Sequence, residues 1–578
     1  MINVRTFSRS IIRQPTWTVA TDICVLFFGL ACFYGVVLIA RYWSGGAIPV
    51  SEIHRSPTAL PLYAFYSLAR ILIAYLLSLV FALGYGWLAA HYKRLEAPML
   101  ALLDVLQSIP VLSFLPGVML AFVALMPAKQ LGVELGAIVL IFTGQVWNMA
   151  FSFYSSLRSI PRELHEATHI YRLSALQRFF TLELPYGTIG LVWNSMVSVA
   201  GGWFFLMACE MFVLGKRDFR LPGLGSYLQT AASTGDTISI IWGLAIMIGV
   251  IVLLDQLLWR PVIAWSDKFK FEQVESVGVP RSPILEALRR SHALKVAKFK
   301  IVTPIAEQLA HRLAQRARRP EKTRRTSKFV SYPLAFLAIG ALAAGTIYAS
   351  SHAISLLREI DRGEVLLTVK SAIATFVRVN IALLIASAWT IPAGVAIGFQ
   401  PRLARIAQPI AQIAASVPAT ALFPVLLLAI VKLGGGLGIG SIVLMLLGTQ
   451  WYILFNVIAG TMAIPSDLRE VANVFKFSSR ERWRTVVLPG IFPYLITGLV
   501  TASGGAWNAS IIAEYFHLRE QTLSTLGLGA EISRATDNGN FPLLLLATIV
   551  MAMMVVTVNR LVWRPLYRLA ETRFKLET

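Results

Sequence analysis

The chain says nearly the same thing twice, and that repetition constrains its fold more than any single residue does. Pro161-Arg-Glu-Leu-His-Glu-Ala leads on to Leu184-Pro185, and Pro465-Ser-Asp-Leu-Arg-Glu-Val leads on to Leu488-Pro489. At this offset of 304, Gly144 matches Gly448, Trp147 matches Trp451, Glu166 matches Glu470 and Gly201 matches Gly505. Trp203 and Trp507, Glu210 and Glu514, and the tripeptides Trp259-Arg260-Pro261 and Trp563-Arg564-Pro565 keep the same spacing. Two homologous halves therefore make one molecule.

Of 578 residues, 56% are hydrophobic and 14% charged, far more apolar sequence than a soluble chain of this length can cover. Apolar runs of about 20 residues recur, each long enough for a helix to cross a hydrocarbon core. The runs are continuous rather than alternating, which selects helices over a barrel. The expectation is an all-α polytopic membrane protein with twelve spans. Six lie near 19–41, 66–90, 98–125, 132–156, 186–212 and 238–258, and six near 330–351, 370–398, 406–431, 437–462, 490–514 and 541–560.

Orientation is read from Lys and Arg. Arg5, Arg9 and Arg13 at one terminus, Arg560, Arg564, Arg568, Arg573 and Lys575 at the other, and Lys93, Arg94, Arg402 and Arg405 in loops all fall on one side, expected to be the cytoplasm. Six is even, so both repeats insert the same way up, about an axis along the membrane normal. Residues 1–278 and 330–578 are read as the two membrane domains, and 279–329 as a linker holding much of the net charge of +22. A basic linker along anionic headgroups explains that charge; a nucleic-acid patch lacks aromatic interleaving or a binding fold. The first basic and apolar stretch resembles a signal peptide but exceeds its length, so an uncleaved span is expected. Cys24, Cys32 and Cys209 lie in apolar runs without ligand spacing.

His165-Glu166-Ala167-Thr168-His169 fits a zinc-protease pattern, in which His at i and i+4 share a helix face. The other half has Arg469-Glu470-Val471-Ala472-Asn473 at that place, keeping the Glu and losing both His. No metal and no cofactor is expected. Pro110 and Pro418, beside Ser108 and Ser416, and Pro116 with Pro424 break the third span of each half. They admit two readings: kinked packing, or freed carbonyls lining a path. Glu210 and Glu514 fall near the end of a span, either as interfacial carboxylates or as a gate contacting solute or a partner protein.

The duplicated loop resembles the EAA loop of ABC-importer permeases, where Glu-Ala is followed by Leu-Pro before the penultimate span. Glu166, Ala167 and Pro185 occupy these positions in one half, and Glu470, Val471 and Pro489 in the other. Ser416-Val-Pro to Pro424 and Ser108-Ile-Pro to Pro116 are similar to the nitrate/sulfonate/taurine-type members. So is the acidic residue followed by Gly-Leu-Gly: Glu210 with Gly223 to Gly225, and Glu514 with Gly527 to Gly529. Both loops depart from that pattern, with Arg172 and Lys476 where the family has a turn Gly, at a cost of about 1 kcal/mol if the turn is left-handed.

The resemblance implies two tandem six-helix type I permease repeats and a coupling helix in each loop docking on a cytoplasmic ATPase. It also implies a solute-binding protein outside and a small anion as solute. Arg172 and Lys476 would then belong to the coupling surface. No phosphate-binding loop exists in this chain, since Gly215-Lys216-Arg217 lacks its first Gly and its hydroxyl, so ATP hydrolysis is expected in separate subunits and not here. The same machine could import ferric iron, thiamine or polyamine. A secondary transporter would need charge pairs buried at mid-membrane in both halves, and the sequence reading finds none duplicated.

Overall fold

The structure, a computed structural model, describes residues 52–108, 110–126, 129–171, 173–214, 217–269, 285–286, 347–348, 351, 353–518 and 521–573. Among the described residues, eight helical segments are long and apolar enough to cross a membrane: Pro57–His91, Gln130–Arg158, Ala175–Glu210, Thr237–Ser266, Arg362–Phe399, Leu437–Met462, Ser479–Ala513 and Phe541–Ala570. The expected spans 19–41 and 330–351 lie outside the described residues, save 347, 348 and 351, as does nearly all of the linker.

The remaining difference from twelve spans is physical. The third span of each half is not one helix. In the first half α1 (Leu60–His91) is followed by α2 (Lys93–Ser108), a short turn at Val111–Ser113 and the 11-residue α3 (Leu115–Leu125). Proline has no N–H to donate and clashes with the preceding turn, so the chain leaves the helix at Pro110 and restarts beyond it. The second half repeats this from α11 (Arg362–Phe399). There α12 (Pro401–Ser416) gives way to extended Val417 and Pro418, and α13 (Ala419–Lys432) follows.

Each half then runs back through a long helix, α4 (Lys129–Arg158) or α14 (Leu437–Met462), to a nine-residue loop helix, α5 (Arg162–Ile170) or α15 (Ser466–Val474). Short helices α6 (Ala175–Arg178) and α16 (Ser479–Arg482) pass through five-residue π turns into α7 (Leu184–Glu210) and α17 (Leu488–Ala513). At the far end stand the β1–β2 hairpin (Val213–Leu214, Arg217–Asp218) with α8 (Leu224–Thr234), and the β3–β4 hairpin (Tyr515–Leu518, Gln521–Ser524) with α18 (Leu528–Asp537). The last spans, α9 (Thr237–Leu254) and α19 (Phe541–Val558), end in π turns and continue as α10 (Arg260–Ser266) and α20 (Arg564–Arg573).

The halves interlock through their broken spans. α12 packs on α7 and α9, α13 packs on α7 and α8, and in return the Val111–Ser113 turn reaches α17. The hairpins cross as well, β3 lying on α8 and β1 on α18. One hydrophobic core spans both halves, with Trp203 and Trp507 among its largest fully buried side chains.

Candidate functional site

The two loop helices lie at the same end of the molecule and are built alike. Each begins after a proline, Pro161 or Pro465, that cannot extend the helix before it. Each is followed by a capping box, Ser174 with Gln177 and Ser478 with Glu481, which starts the next helix sharply. Pro185 and Pro489 sit in the first turn of α7 and α17, where a missing N–H costs nothing. Glu166, Glu470 and Val471 are exposed and Ala167 is half-buried.

Sequence reasoning missed the tips of these helices. Ile170 and Tyr171 are 79% and 77% exposed, and their counterparts Val474 and Phe475 are 77% and 71% exposed. Each half thus presents a pair of exposed apolar side chains beyond its acidic residue. The signal was available, since both pairs keep the offset of 304.

Arg172 lies outside the described residues. Lys476 has φ +51°, so the left-handed turn is retained without glycine. Phe477 N–H closes it on the Ala472 carbonyl at 3.0 Å, and Leu173 N–H makes the same bond to Thr168 in the other loop. Lys476→Gly is therefore expected to stabilise the protein by about 0.5–1 kcal/mol. A thermal midpoint that falls in that variant would contradict this reading.

The loops are anchored by different chemistry. Arg469 holds the carbonyls of Thr461 and Ile464 at 3.2 and 2.8 Å and lies 5.0 Å over the Phe399 ring. His165 stands at the equivalent position, and partial burial with the Arg178 charge nearby pulls its imidazole below the ordinary range. Buried Glu183 accepts from Arg178 Nε at 2.7 Å and Trp87 Nε1 at 3.0 Å, and lies 3.0 Å from His91 Nε2. Val487 replaces Glu183 in the second half. Among the described residues no three His, Cys, Asp or Glu side chains converge to hold a metal ion.

Between the halves lies a cavity of about 1940 Å³, larger than the 300–1,000 Å³ typical of a small-molecule pocket. It reaches the end that carries the loop helices, where Ser159, Met462 and Arg568 line it, and stops at Phe204, Gly505 and Asn508. Along α7 that is about 24 Å from Ile189 to Phe205. Pro418 lines the cavity and Pro110 is buried away from it; the side chains of Ser108 and Ser416 are outside those described.

Glu210 and Glu514 correct an expectation. The sequence reads them as interfacial carboxylates or as a gate; both are fully buried, so neither reaches headgroup water, and neither lines the cavity. Glu210 accepts from Ser67 Oγ at 2.7 Å, Arg70 Nη1 at 2.7 Å and Gly225 N–H at 2.7 Å. Glu514 accepts from Thr375 Oγ1, Arg378 Nη1 and Gly529 N–H, each at 2.9 Å. The same hydroxyls accept the N–H of Leu224 and Leu528, so each carboxylate sits on the positive N-terminus of α8 or α18. The Gly-Leu-Gly motif follows from this. A Cβ at Gly223 would lie 2.3 Å from the Glu210 carboxyl carbon, and one at Gly527 would lie 2.2 Å from a Glu514 oxygen.

These are duplicated buried charge pairs, which the sequence reading did not find. Arg70 also holds Glu134 through two bonds of 2.6 and 2.7 Å. The pairs lie at the far end of the spans, about 31 Å along α1 from His91, and they bind α1 to α7 and α11 to α17. Every charge is met within the clamp, so it fastens helices together instead of offering a mid-membrane site for a coupling ion.

Fold and site together define a membrane-embedded permease, with two like-oriented helical halves around a shared cavity. The chain belongs to the family of binding-protein-dependent transport system inner membrane components, matched twice, over residues 82–258 and 390–570. It is a transmembrane component of that family and not a catalytic subunit.

It is 30% identical over 189 residues to the nitrate import permease protein NrtB of Leptolyngbya laminosa, covering 33% of this chain and 64% of that protein. It is 32% identical over 124 residues to the bicarbonate transport system permease protein CmpB of Synechocystis sp., covering 22% and 43%. Against the taurine transport system permease protein TauC of Escherichia coli it is 27% identical over 167 residues, covering 28% and 56%. The chain thus spans less than two thirds of the length of each of these relatives.

Proposed function

We propose that this chain is the membrane-spanning permease of an ATP-driven importer, with both transmembrane domains fused, and that its solute is a small anion. Two cytoplasmic ABC ATPase subunits would each receive one loop helix, and a periplasmic or extracellular solute-binding protein would dock at the opposite face of a bacterial cytoplasmic membrane. The observation that carries this reading is the pair of loop helices, with matched apolar tips, standing at the end where the cavity is lined by Ser159 and Met462. Closure of the ATPases would draw α5 and α15 together and tilt the halves as rigid bodies, moving the opening to the far end. The far-end clamps support rigid-body motion, since one ties α1, α4, α7 and α8 and the other ties α11, α17 and α18.

An anionic solute is favoured by the charges along the cavity. Asp255 is held by Arg260 Nε at 3.2 Å and by Gln412 Nε2 at 3.2 Å, while Arg564 and Arg568 also line the wall. Two of the relatives are named for anions, nitrate and bicarbonate, which agree with that sign of charge.

The test is coupling. In the complex purified with its ATPases, Glu166→Arg with Glu470→Arg is expected to lower solute-stimulated ATP hydrolysis roughly a hundredfold, the loss of two charged contacts of about 1.5 kcal/mol each. Hydrolysis unchanged by the double reversal would overturn the proposal.

A further inference from the structure

The cavity wall is polar in many places, but most of its donors are already engaged by the helices that carry them. Asn194, Asn456 and Asn508 each donate an amide hydrogen to a carbonyl one turn back, at 3.0, 2.8 and 3.2 Å. Thr497 and Thr501 do the same with their hydroxyls, each at 3.0 Å. Gln412 donates to Asp255 and the Met196 sulfur.

Asn148 and Tyr452 are different. Asn148 accepts a bond of 3.4 Å from Gln107 through Oδ1, which leaves both N–H groups of its amide without a partner among the described residues. The Tyr452 hydroxyl likewise has none, and it lies 3.7 Å from where a Cβ on Gly201 would stand. Tyr452 belongs to the second half and Gly201 to the first, so this hydroxyl reaches across the boundary between them. Glycine at 201 and 505 leaves it uncovered, since the ring is also 3.5 Å from a Cβ position on Gly505.

The two residues occupy equivalent positions at the offset of 304, each ten residues from the end of its helix. They stand about 15 Å above the loop helices, halfway along the cavity. Their depth is the same and their chemistry is not. A permease of two identical chains would have to place the same group at both positions; a fused chain is free to differ. Among the described residues that line the cavity, Asp255 is the one carboxylate, and Arg260 and Gln412 hold it. Unengaged donors suit a ligand rich in acceptor oxygens.

We infer that Asn148 and Tyr452, at one level of the cavity wall, serve a subsite for a small oxyanion, a resting place between entry and release. The inference rests on the importer reading for its physiological meaning, but its test does not. Neutral donors hold an anion weakly enough for it to leave, which a fixed cation in the same place would impede.

The experiment uses the full chain in lipid nanodiscs without ATP, titrated with bicarbonate, methanesulfonate and, as a cation, spermidine, and read by the fluorescence of cavity tryptophans such as Trp193 and Trp451. A saturable response to at least one anion is expected. Asn148→Asp keeps the shape and reverses the preference, so it should weaken that anion roughly tenfold or more. Tyr452→Phe removes one hydroxyl and should weaken it about fivefold. No saturable response to either anion, an affinity unchanged in both variants, or spermidine bound more tightly than the anions by the unaltered chain would overturn the inference. Because ATP is absent, failure here leaves the coupling experiment standing, and failure there leaves this one standing.

Discussion

Arg70→Leu is expected to be the most damaging single substitution in the described structure. The side chain is 4% exposed and pairs with two carboxylates, Glu210 at 2.7 Å and Glu134 at 2.6 Å. Removing it leaves Glu210 buried without its counter-charge, held by Ser67 and the Gly225 N–H alone, a loss of about 3–5 kcal/mol for a broken buried pair. Against a total stability of about 5–15 kcal/mol, that is enough to deplete folded protein at growth temperature. Size-exclusion profiles in detergent should shift to aggregate, and the surviving fraction should melt well below the parent. The double variant Arg70→Leu with Glu210→Leu should recover part of the loss, because the fully buried carboxylate goes with its partner and only Glu134, 30% exposed, is left without Arg70. Arg378→Leu should cost less, since Arg378 meets one carboxylate and is 15% exposed. An Arg70→Leu protein that melts with the parent would show that the clamp is not needed for stability.

Gly223→Ala and Gly527→Ala come next, and the reason is space alone. Gly223 has φ 178° and Gly527 has φ −179°, extended backbone that any residue adopts. The added methyl would nonetheless meet a carboxylate at 2.3 or 2.2 Å. To make room, Glu210 or Glu514 must leave the donors that hold it, so each change combines overpacking of about 1–3 kcal/mol with broken charge-assisted bonds of about 1.5–3 kcal/mol. Gly504→Ala is the control: a Cβ there meets nothing within 4 Å, and alanine favours the middle of α17 by about 1 kcal/mol. Equal melting temperatures for Gly223→Ala and Gly504→Ala would refute the steric account.

What could be read beforehand follows from what a repeat can reveal. The loop helices, the leading prolines of α7 and α17 and the breaks at Pro110 and Pro418 were legible, because punctuation by proline acts locally. The Gly-Leu-Gly motif was visible, but its cause was not, since the carboxylate that excludes a side chain there comes from 13 residues earlier. Ser67 and Arg70 were invisible for a different reason. Their counterparts Thr375 and Arg378 lie 308 residues on, not 304, because the first half has four extra residues before Gly144. Four residues make about one helical turn, so α4 begins a turn earlier than α14, and Glu134, which meets Arg70, stands where the second half has Gly438. A comparison held to one offset sees neither the pair nor the insertion. The exposure of Ile170, Tyr171, Val474 and Phe475 was missed because apolar residues in an apolar chain carry no contrast.

The four π turns, Phe179–Glu183 and Trp483–Val487 before α7 and α17, Asp255–Trp259 and Asn559–Trp563 after α9 and α19, occur at matching places in both halves. A π turn holds one residue more than the helix around it, and one residue is about 100° of rotation. Each therefore sets the angular phase between a span and what lies beyond it. Deleting a single residue within Phe179–Glu183 would leave every side chain of the first loop helix present yet point them in a new direction. In this protein the aim of the loop helices is stored as a residue count in the helix beside them.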